Sequence, residues 1–311
     1  MHIVVCCATR RGYRFLEKLI ALKADAELTV FSFKEDPWEP PFLDDIRTLT
    51  RNSGGIFHEA KQVSASRWQQ FWQEANFDLL FAVSWRYMIP AQIYERASQG
   101  AYVFHDSLLP EYRGFSPTVW AIINGEDHTG ATLCEMVDDY DAGPIVAQER
   151  VAIGADETIS VVFDRVTDSY LRLLENNLDV LLAGKVAATP QDEHRATYTC
   201  KLLPEDFRID WTWPTERIYN LIRATTRPYA GAYTTLNGKR LRVWSARRLP
   251  PAEARVFKGR VPGRMVNLCE DGRVAVLTGD GELWLEQVQL EGGPIVPAAD
   301  IINRYAFTLG R

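Results

Sequence analysis

The chain has 311 residues, 46% hydrophobic and 24% charged, and carries 35 Lys and Arg against 41 Asp and Glu for a formal net charge of −6. That composition excludes a disordered or fibrous chain and is long enough for two domains that each bury a core. Five scattered cysteines, Cys6, Cys7, Cys134, Cys200 and Cys269, with no CxxC pair, argue against a disulfide framework or a structural zinc.

The front of the chain alternates β-type runs with helical patterns. IVVCCA (3–8) is followed by a helical stretch from Gly12 to Lys23, ELTVFSF (27–33), a helix near 42–52 and GIFHEA. SASRWQQFWQEAN reads as an amphipathic helix opened by a Ser cap, then come DLLFAVSW (78–85), the helix PAQIYERAS with Pro90 at its start, and AYVFHDS (101–107). Such alternation predicts an α/β fold with a mainly parallel sheet, and ligands beyond the carboxyl ends of its strands. Further on, ATLCEMV and PIVAQERVAI precede a long helical pattern from Ile159 to about Leu182, ended by Gly184. The polar stretch Thr189 to Glu205 reads as a linker, which predicts domains at 1–204 and 205–311. The back part contains RIDWTWP, the helix PTERIYNLIRA, and short strands split at Leu236-Asn237-Gly238, Glu270-Asp271-Gly272 and Gly279-Asp280-Gly281, the pattern of a small β-barrel.

Chemistry concentrates in two segments. The loop Ala8-Thr9-Arg10-Arg11-Gly12 lacks the GxGxxG of a dinucleotide site, and no P-loop is present. FHDSLLPEYRG (104–114) follows a strand, and strand alternation puts Val103, His105 and Ser107 on one face with Asp106 opposite. A histidine there has two readings: a loop histidine bonded to a backbone carbonyl, or a group that moves protons. VDDYDAGPIVAQ (137–148) holds Asp141 at the tip of a tight turn, with Asp138 and Asp139 as solvated turn residues. A histidine and a carboxylate at neighbouring strand ends would form an oriented base able to deprotonate an attacking amine.

HDSLLPEYRG, WAIINGEDHTGATL and DAGPIVAQ together resemble the 10-formyltetrahydrofolate-dependent formyltransferase family, whose pattern is close to N-x-H-x-S-L-L-P-x-x-R-G, G-E-x-x-T-G-x-T and D-x-G. The resemblance covers nearly all of residues 78–246 and is nearest to the UDP-4-amino-4-deoxy-L-arabinose, sugar-nucleotide N-formyltransferases; the first 77 residues resemble them in pattern only. It implies a Rossmann-like catalytic domain followed by an OB-like barrel, with 10-formyltetrahydrofolate as co-substrate. His105 and Asp141 match the catalytic pair, His105 taking the amine proton or stabilising the oxyanion and Asp141 orienting it. Ser84, Trp85, Arg86, Tyr87, Met88, Ile89 and Asp138 are implied folate contacts; Ser107, Tyr112 and Arg113 are implied acceptor contacts, although Arg113 also reads as a surface arginine. The chain departs from the pattern at Val103, where the family has asparagine. Valine cannot donate to a developing oxyanion, and losing one such donor typically costs about 100- to 1,000-fold in rate.

The acceptor is read from charge. The stretch KEDPWEPPFLDD (34–45) sets Lys34 against Glu35, Asp36, Glu39, Asp44 and Asp45, a solvated acidic turn that repels a polyphosphate backbone. From residue 202 onward there are 16 Lys and Arg against 12 Asp and Glu, leaving 19 against 29 in front, far short of a nucleic-acid footprint. A nucleotide-linked amino sugar is therefore the expected partner, with Trp85, Tyr87, Tyr112 and Trp120 as candidate stacking rings and Trp211 and Trp213 at the domain junction. The alternatives are methionyl-tRNA or amino-acid formyl transfer, formyltetrahydrofolate hydrolysis, and folate binding with weak turnover. No window approaches 18 apolar residues, and the start MHIVVCCATRRGYRF is the reverse of a secretory signal, so a cytoplasmic protein, with a homodimer as one option and no membrane partner or metal, is expected.

Overall fold

The computed structural model describes every residue except Trp38, 250–254, Glu270 and Ala306, so Trp38 of the acidic stretch and Glu270 of the second turn signal lie outside the described residues. In chain order the elements are β1 (His2–Cys7), α1 (Thr9–Leu22), β2 (Glu27–Ser32), α2 (Leu43–Asn52), β3 (Ile56–Glu59), α3 (Gln69–Glu74), β4 (Leu79–Val83), α4 (Ala91–Tyr94), β5 (Ala101–His105), β6 (Arg113–Gly114), α5 (Pro117–Asn124), β7 (His128–Glu135), β8 (Ile145–Ala152), α6 (Ile159–Leu182) and β9 (Tyr198–Thr199). They are followed by α7 (Thr215–Thr225), β10 (Ala232–Leu236), β11 (Lys239–Arg248), β12 (Met265–Leu268), β13 (Val274–Leu277), β14 (Glu282–Leu290), β15 (Ile295–Pro297) and α8 (Ala298–Ile301). Two compact units result: Met1–Pro117, His128–Ala152 and Phe163–Cys200 form the first; Thr118–Asp127, Ile153–Val162 and Lys201–Arg311 form the second.

The first unit is built on a seven-stranded sheet in the order β3-β2-β1-β4-β5-β7-β8. β3, β2, β1, β4 and β5 run parallel, while β5, β7 and β8 pair antiparallel. The order reverses between β1 and β4, the place where open α/β sheets leave a crevice at their carboxyl ends. One face is covered through α1, whose Gly12, Phe15, Leu16 and Leu19 fall at helical spacing and are buried, and through Tyr170 of α6. Phe15 and Tyr170 both reach Phe104, with ring centroids 4.8 and 5.4 Å away. The other face packs Val4, Cys6, Phe31, Leu80 and Ala82 against Trp72 and Ile93, with Trp85, Val103 and Met136 at its margin. Register aligns Cys6, Ala82, Val103 and Cys134 in one row across β1, β4, β5 and β7.

The second unit is a six-stranded antiparallel sheet, β10-β11-β14-β13-β12 with β15 on β14. Asn237 and Gly238, at φ 50° and 77°, close the β10–β11 hairpin as the Asn-Gly signal requires. Trp211, expected at the domain junction, is buried within this unit, and its indole N–H donates to Thr234 Oγ1 at 3.0 Å. Trp213 lies under the Arg217 guanidinium at 4.2 Å. Among the described residues no helix is long and apolar enough to cross a membrane.

Candidate active site

Among the described residues six non-glycine residues have positive φ, and five of them lie beyond the ends of central strands: Thr9 opens α1 after β1, Ser84 follows β4, Tyr112 and Ser116 flank β6, and Asp141 follows β7. Each such residue costs about 1–3 kcal/mol and persists where its surroundings over-determine it, as they do at functional sites. The strain marks the same loops that carry His105, Asp141 and the 84–89 segment.

His105 ends β5, with a side chain 6% exposed, and its Nδ1 lies 3.4 Å from Asp141 Oδ1. Residues 36 positions apart in the chain therefore meet. Nε2 of His105 sits 2.9 Å from the Tyr112 carbonyl oxygen. A carbonyl only accepts, which places a ring hydrogen on Nε2 and turns Nδ1 toward the carboxylate. The two readings of this histidine coexist: it is bonded to a loop carbonyl, and it faces an acid. Asp141 Oδ2 accepts the Gly114 N–H at 2.8 Å, and its side chain, 17% exposed, is the more open edge of the pair. The glycine of the Asp-Ala-Gly turn has a steric cause, since a Cβ at Gly143 would stand 1.8 Å from the Glu135 carbonyl oxygen.

Threonine and glutamine side chains brace the segment after β5. Thr132, opposite His105 on β7, donates through Oγ1 to the Ser107 carbonyl at 2.7 Å and accepts from Leu109 N–H and Gln148 Nε2. Ser107 was expected to share the histidine face as an acceptor contact. The strand instead ends at His105, and Ser107 is buried with its hydroxyl donating to the Glu111 carbonyl at 2.6 Å, closing a turn. Asp106 points the other way, as alternation predicts, and pairs with Arg11 at 3.3 Å.

Arg113 also departs from its expected role as an anion contact. Its side chain is 0% exposed, and Gln191, Glu193 and the Tyr198 hydroxyl hold all three of its nitrogens. Hydrogen bonding to Glu193 holds its charge more firmly than usual. The polar stretch after Thr189 is likewise not a loose linker through residue 199. Thr189 and Ile145 exchange backbone hydrogen bonds, Thr197 Oγ1 accepts the Tyr112 N–H at 2.8 Å, and β9 pairs with β6. Sequence reasoning missed Gln191, Glu193 and Thr197 because they act singly on carbonyls, amides and a guanidinium, with no periodicity.

In the 84–89 segment the side chains divide. Ser84 takes φ 52°; Trp85 and Tyr87 pack edge-on to Phe33 at 5.3 and 5.1 Å; Met88 is exposed. Ile89 is 4% exposed and packs in the core. The Trp85 indole nitrogen is buried and has no hydrogen-bond partner among the described residues. Arg86 donates to Glu39, at 2.8 Å for Nη1 and in a second, shorter contact, and lies 3.5 Å from Asp36. Glu35 is buried and accepts the Phe42 N–H at 2.9 Å, so the acidic stretch is tethered rather than a solvated turn. Asp138 accepts from the Tyr94 hydroxyl at 3.1 Å.

Val103 is half-buried on the face of His105, between Ala82 and Cys134 in the transverse row. Burial pushes the thiols of Cys6 and Cys134 well up, so neither is a nucleophile near neutral pH. Among the described residues no three His, Cys, Asp or Glu side chains group as a metal site.

A mainly parallel sheet with a histidine–aspartate pair at its strand ends and an antiparallel second unit define an α/β protein of two units. The Formyl transferase family matches residues 20–177, and the Formyl transferase, C-terminal domain family matches residues 201–306. The chain belongs to the formyl transferase family. Among solved structures it is similar to HypX from Aquifex aeolicus in complex with tetrahydrofolic acid, at 18% identity and TM-score 0.62, over 97% of this chain and 47% of that one. It thus spans about half the length of HypX. It is also similar to the N-formyltransferase from Helicobacter canadensis in complex with folinic acid and dTDP-3-aminofucose, at 17% identity and TM-score 0.67, over 92% and 99% of the two chains. A sugar N-formyltransferase from a Shewanella species matches at 19% identity and TM-score 0.62, over 78% and 96%. At these identities the likeness is one of fold.

Proposed function

We propose that this chain transfers the formyl group of 10-formyltetrahydrofolate to an amine, and that the acceptor is a nucleotide-linked amino sugar. The observation that carries the reading is the His105–Asp141 pair, 3.4 Å apart beside the most strained loops. The co-substrate supplies an activated one-carbon unit at the oxidation level of formate. When the amine nitrogen bonds to the formyl carbon, the carbonyl electrons move to oxygen and the nitrogen must lose a proton. His105 and Asp141 offer it a place between Nδ1 and Oδ1, reached from the open carboxylate edge. The same proton returns to the folate nitrogen as the carbonyl re-forms and the old carbon–nitrogen bond breaks. Such proton transfer contributes about 10²- to 10⁴-fold.

The 84–89 segment fits a folate ligand in one respect: Trp85 has a buried indole N–H that lacks a partner, and an unmet donor of this kind costs about 1–3 kcal/mol until one arrives. Val103 leaves the formyl oxygen without a side-chain amide from this position of β5. The sugar acceptor is supported by two neighbours, an N-formyltransferase in complex with dTDP-3-aminofucose and a sugar N-formyltransferase, and by the acidic 34–45 stretch, which disfavours a tRNA backbone. The test is tetrahydrofolate release from 10-formyltetrahydrofolate with a panel of UDP-, GDP- and dTDP-linked amino sugars. Release that needs one of these sugars is expected. Release without acceptor would mark a hydrolase, and binding without release a folate-binding relative.

A further inference from the structure

We propose that Gln191 is a positioning residue for the Asp141–His105 pair, with buried Arg113 as the anchor that fixes the orientation of its amide. The proposal rests on the functional reading above. Gln191 Nε2 donates to the carbonyl oxygens of Asp141 and Gly143, both at 2.7 Å, while its Oε1 accepts from Arg113 Nε at 3.1 Å and Nη2 at 2.7 Å. A guanidinium has donors only and a carbonyl accepts only, so the amide has a single satisfied orientation. Arg113 is itself locked by Glu193, at 2.7 and 2.9 Å, and by the Tyr198 hydroxyl at 3.2 Å.

Residues 113 and 114 therefore act on Asp141 twice. The Gly114 N–H holds its carboxylate at 2.8 Å, and the Arg113 side chain, through Gln191, holds its main chain. Asp141 needs both, because its φ of 49° is disfavoured for a residue with a Cβ. If the main-chain clamp is removed, the turn relaxes toward ordinary φ and the carboxylate leaves Nδ1 of His105. Gln191 touches neither the imidazole nor any reacting atom in these contacts; its amide grips the main chain of the Asp141 turn.

The variant Gln191→Glu isolates the clamp. One carboxylate oxygen still accepts from Arg113, but the other cannot donate to the two carbonyls and is repelled by them. We expect kcat to fall about 10- to 100-fold, the scale of an ångström-sized misplacement, with KM for 10-formyltetrahydrofolate within about two-fold. In an Asp141→Asn background the same substitution should cause no further loss. Independently of turnover, a crystal structure of Gln191→Glu should show the 141–143 turn relaxed and the Asp141 carboxylate displaced from Nδ1 of His105. Arg113→Lys, which keeps the charge but loses the fork, should give a smaller loss with the same dependence on Asp141, and serves should Gln191→Glu fail to fold. Unchanged kcat and an unmoved Asp141 carboxylate in folded Gln191→Glu would overturn the proposal. So would an equal loss with and without Asp141. Wild-type protein that releases no tetrahydrofolate with any acceptor would overturn the functional reading instead, leaving the structural comparison to judge Gln191.

Discussion

The corner that holds His105 and Asp141 and the segment from Ser84 to Ile89 both belong to the first unit, yet different forces hold them. The histidine corner is fixed by backbone groups: a Tyr112 carbonyl, a Gly114 amide, and carbonyls gripped by Gln191. The 84–89 segment is tied at its centre by charge, through Arg86 with Glu39 and Asp36. Backbone hydrogen bonds that are largely buried resist salt and hold geometry to fractions of an ångström, whereas partly exposed ion pairs contribute about 0–1 kcal/mol and are screened. Under the proposed function, the contrast suits a corner whose chemistry needs fixed geometry beside a segment that admits and releases a folate.

The largest expected effect falls on the fixed corner. Asp141→Asn keeps the shape and removes the charge; kcat should fall about 100- to 10,000-fold with unfolding temperature nearly unchanged, and steady-state kinetics with thermal denaturation checks both. Next comes Val103→Asn, which restores a donor on the histidine face. It should raise kcat by up to about 100-fold. The amide enters an apolar row between Ala82 and Cys134, so stability should drop by about 1–3 kcal/mol, read by urea unfolding. A rate that does not rise would mean that the site works around valine.

On the charged segment the effects are smaller and opposite in kind. Glu39→Gln loosens the hold on Arg86, which keeps Asp36, and under the proposed function lets it turn toward the anionic tail of the donor, so KM for 10-formyltetrahydrofolate should fall about two- to five-fold with kcat unchanged. The difference from wild type should shrink as salt rises from about 0.05 to 0.5 M. An effect of Glu39→Gln on kcat would break the contrast between the two regions. The smallest signal is a thiol count. Burial pushes Cys7 up to about 12 and raises Cys6 and Cys134 as well, so at pH 8 a thiol reagent should label exposed Cys200 quickly and Cys269 more slowly, and the other three only after denaturation.

The two regions also differ in how much of them the sequence reveals. Runs such as Ile3–Cys7 and Leu79–Val83 announce strands through apolar continuity, and the buried face of α6, from Ile159 through Val162, Val166, Tyr170 and Leu173, announces a helix through its period. His105 and Asp141 are legible because a motif surrounds each. Arg113 looked like a surface or ligand arginine because its partners lie 78 to 85 positions away, beyond any local pattern. The stretch around Gln191 looked like a linker for the same reason: polar side chains that bond to main chain leave no period behind. Ser107 failed on a shorter scale, since the strand bends one residue after His105 and alternation no longer applies.

The central claim is that His105, set against Asp141, passes a proton during formyl transfer. The direct measurement compares wild type with His105→Asn for acceptor-dependent tetrahydrofolate release, alongside equilibrium binding of a non-reactive folate. Release should vanish to within the uncatalysed background while the folate dissociation constant stays within about two-fold. A variant that releases tetrahydrofolate at the wild-type rate would contradict the account.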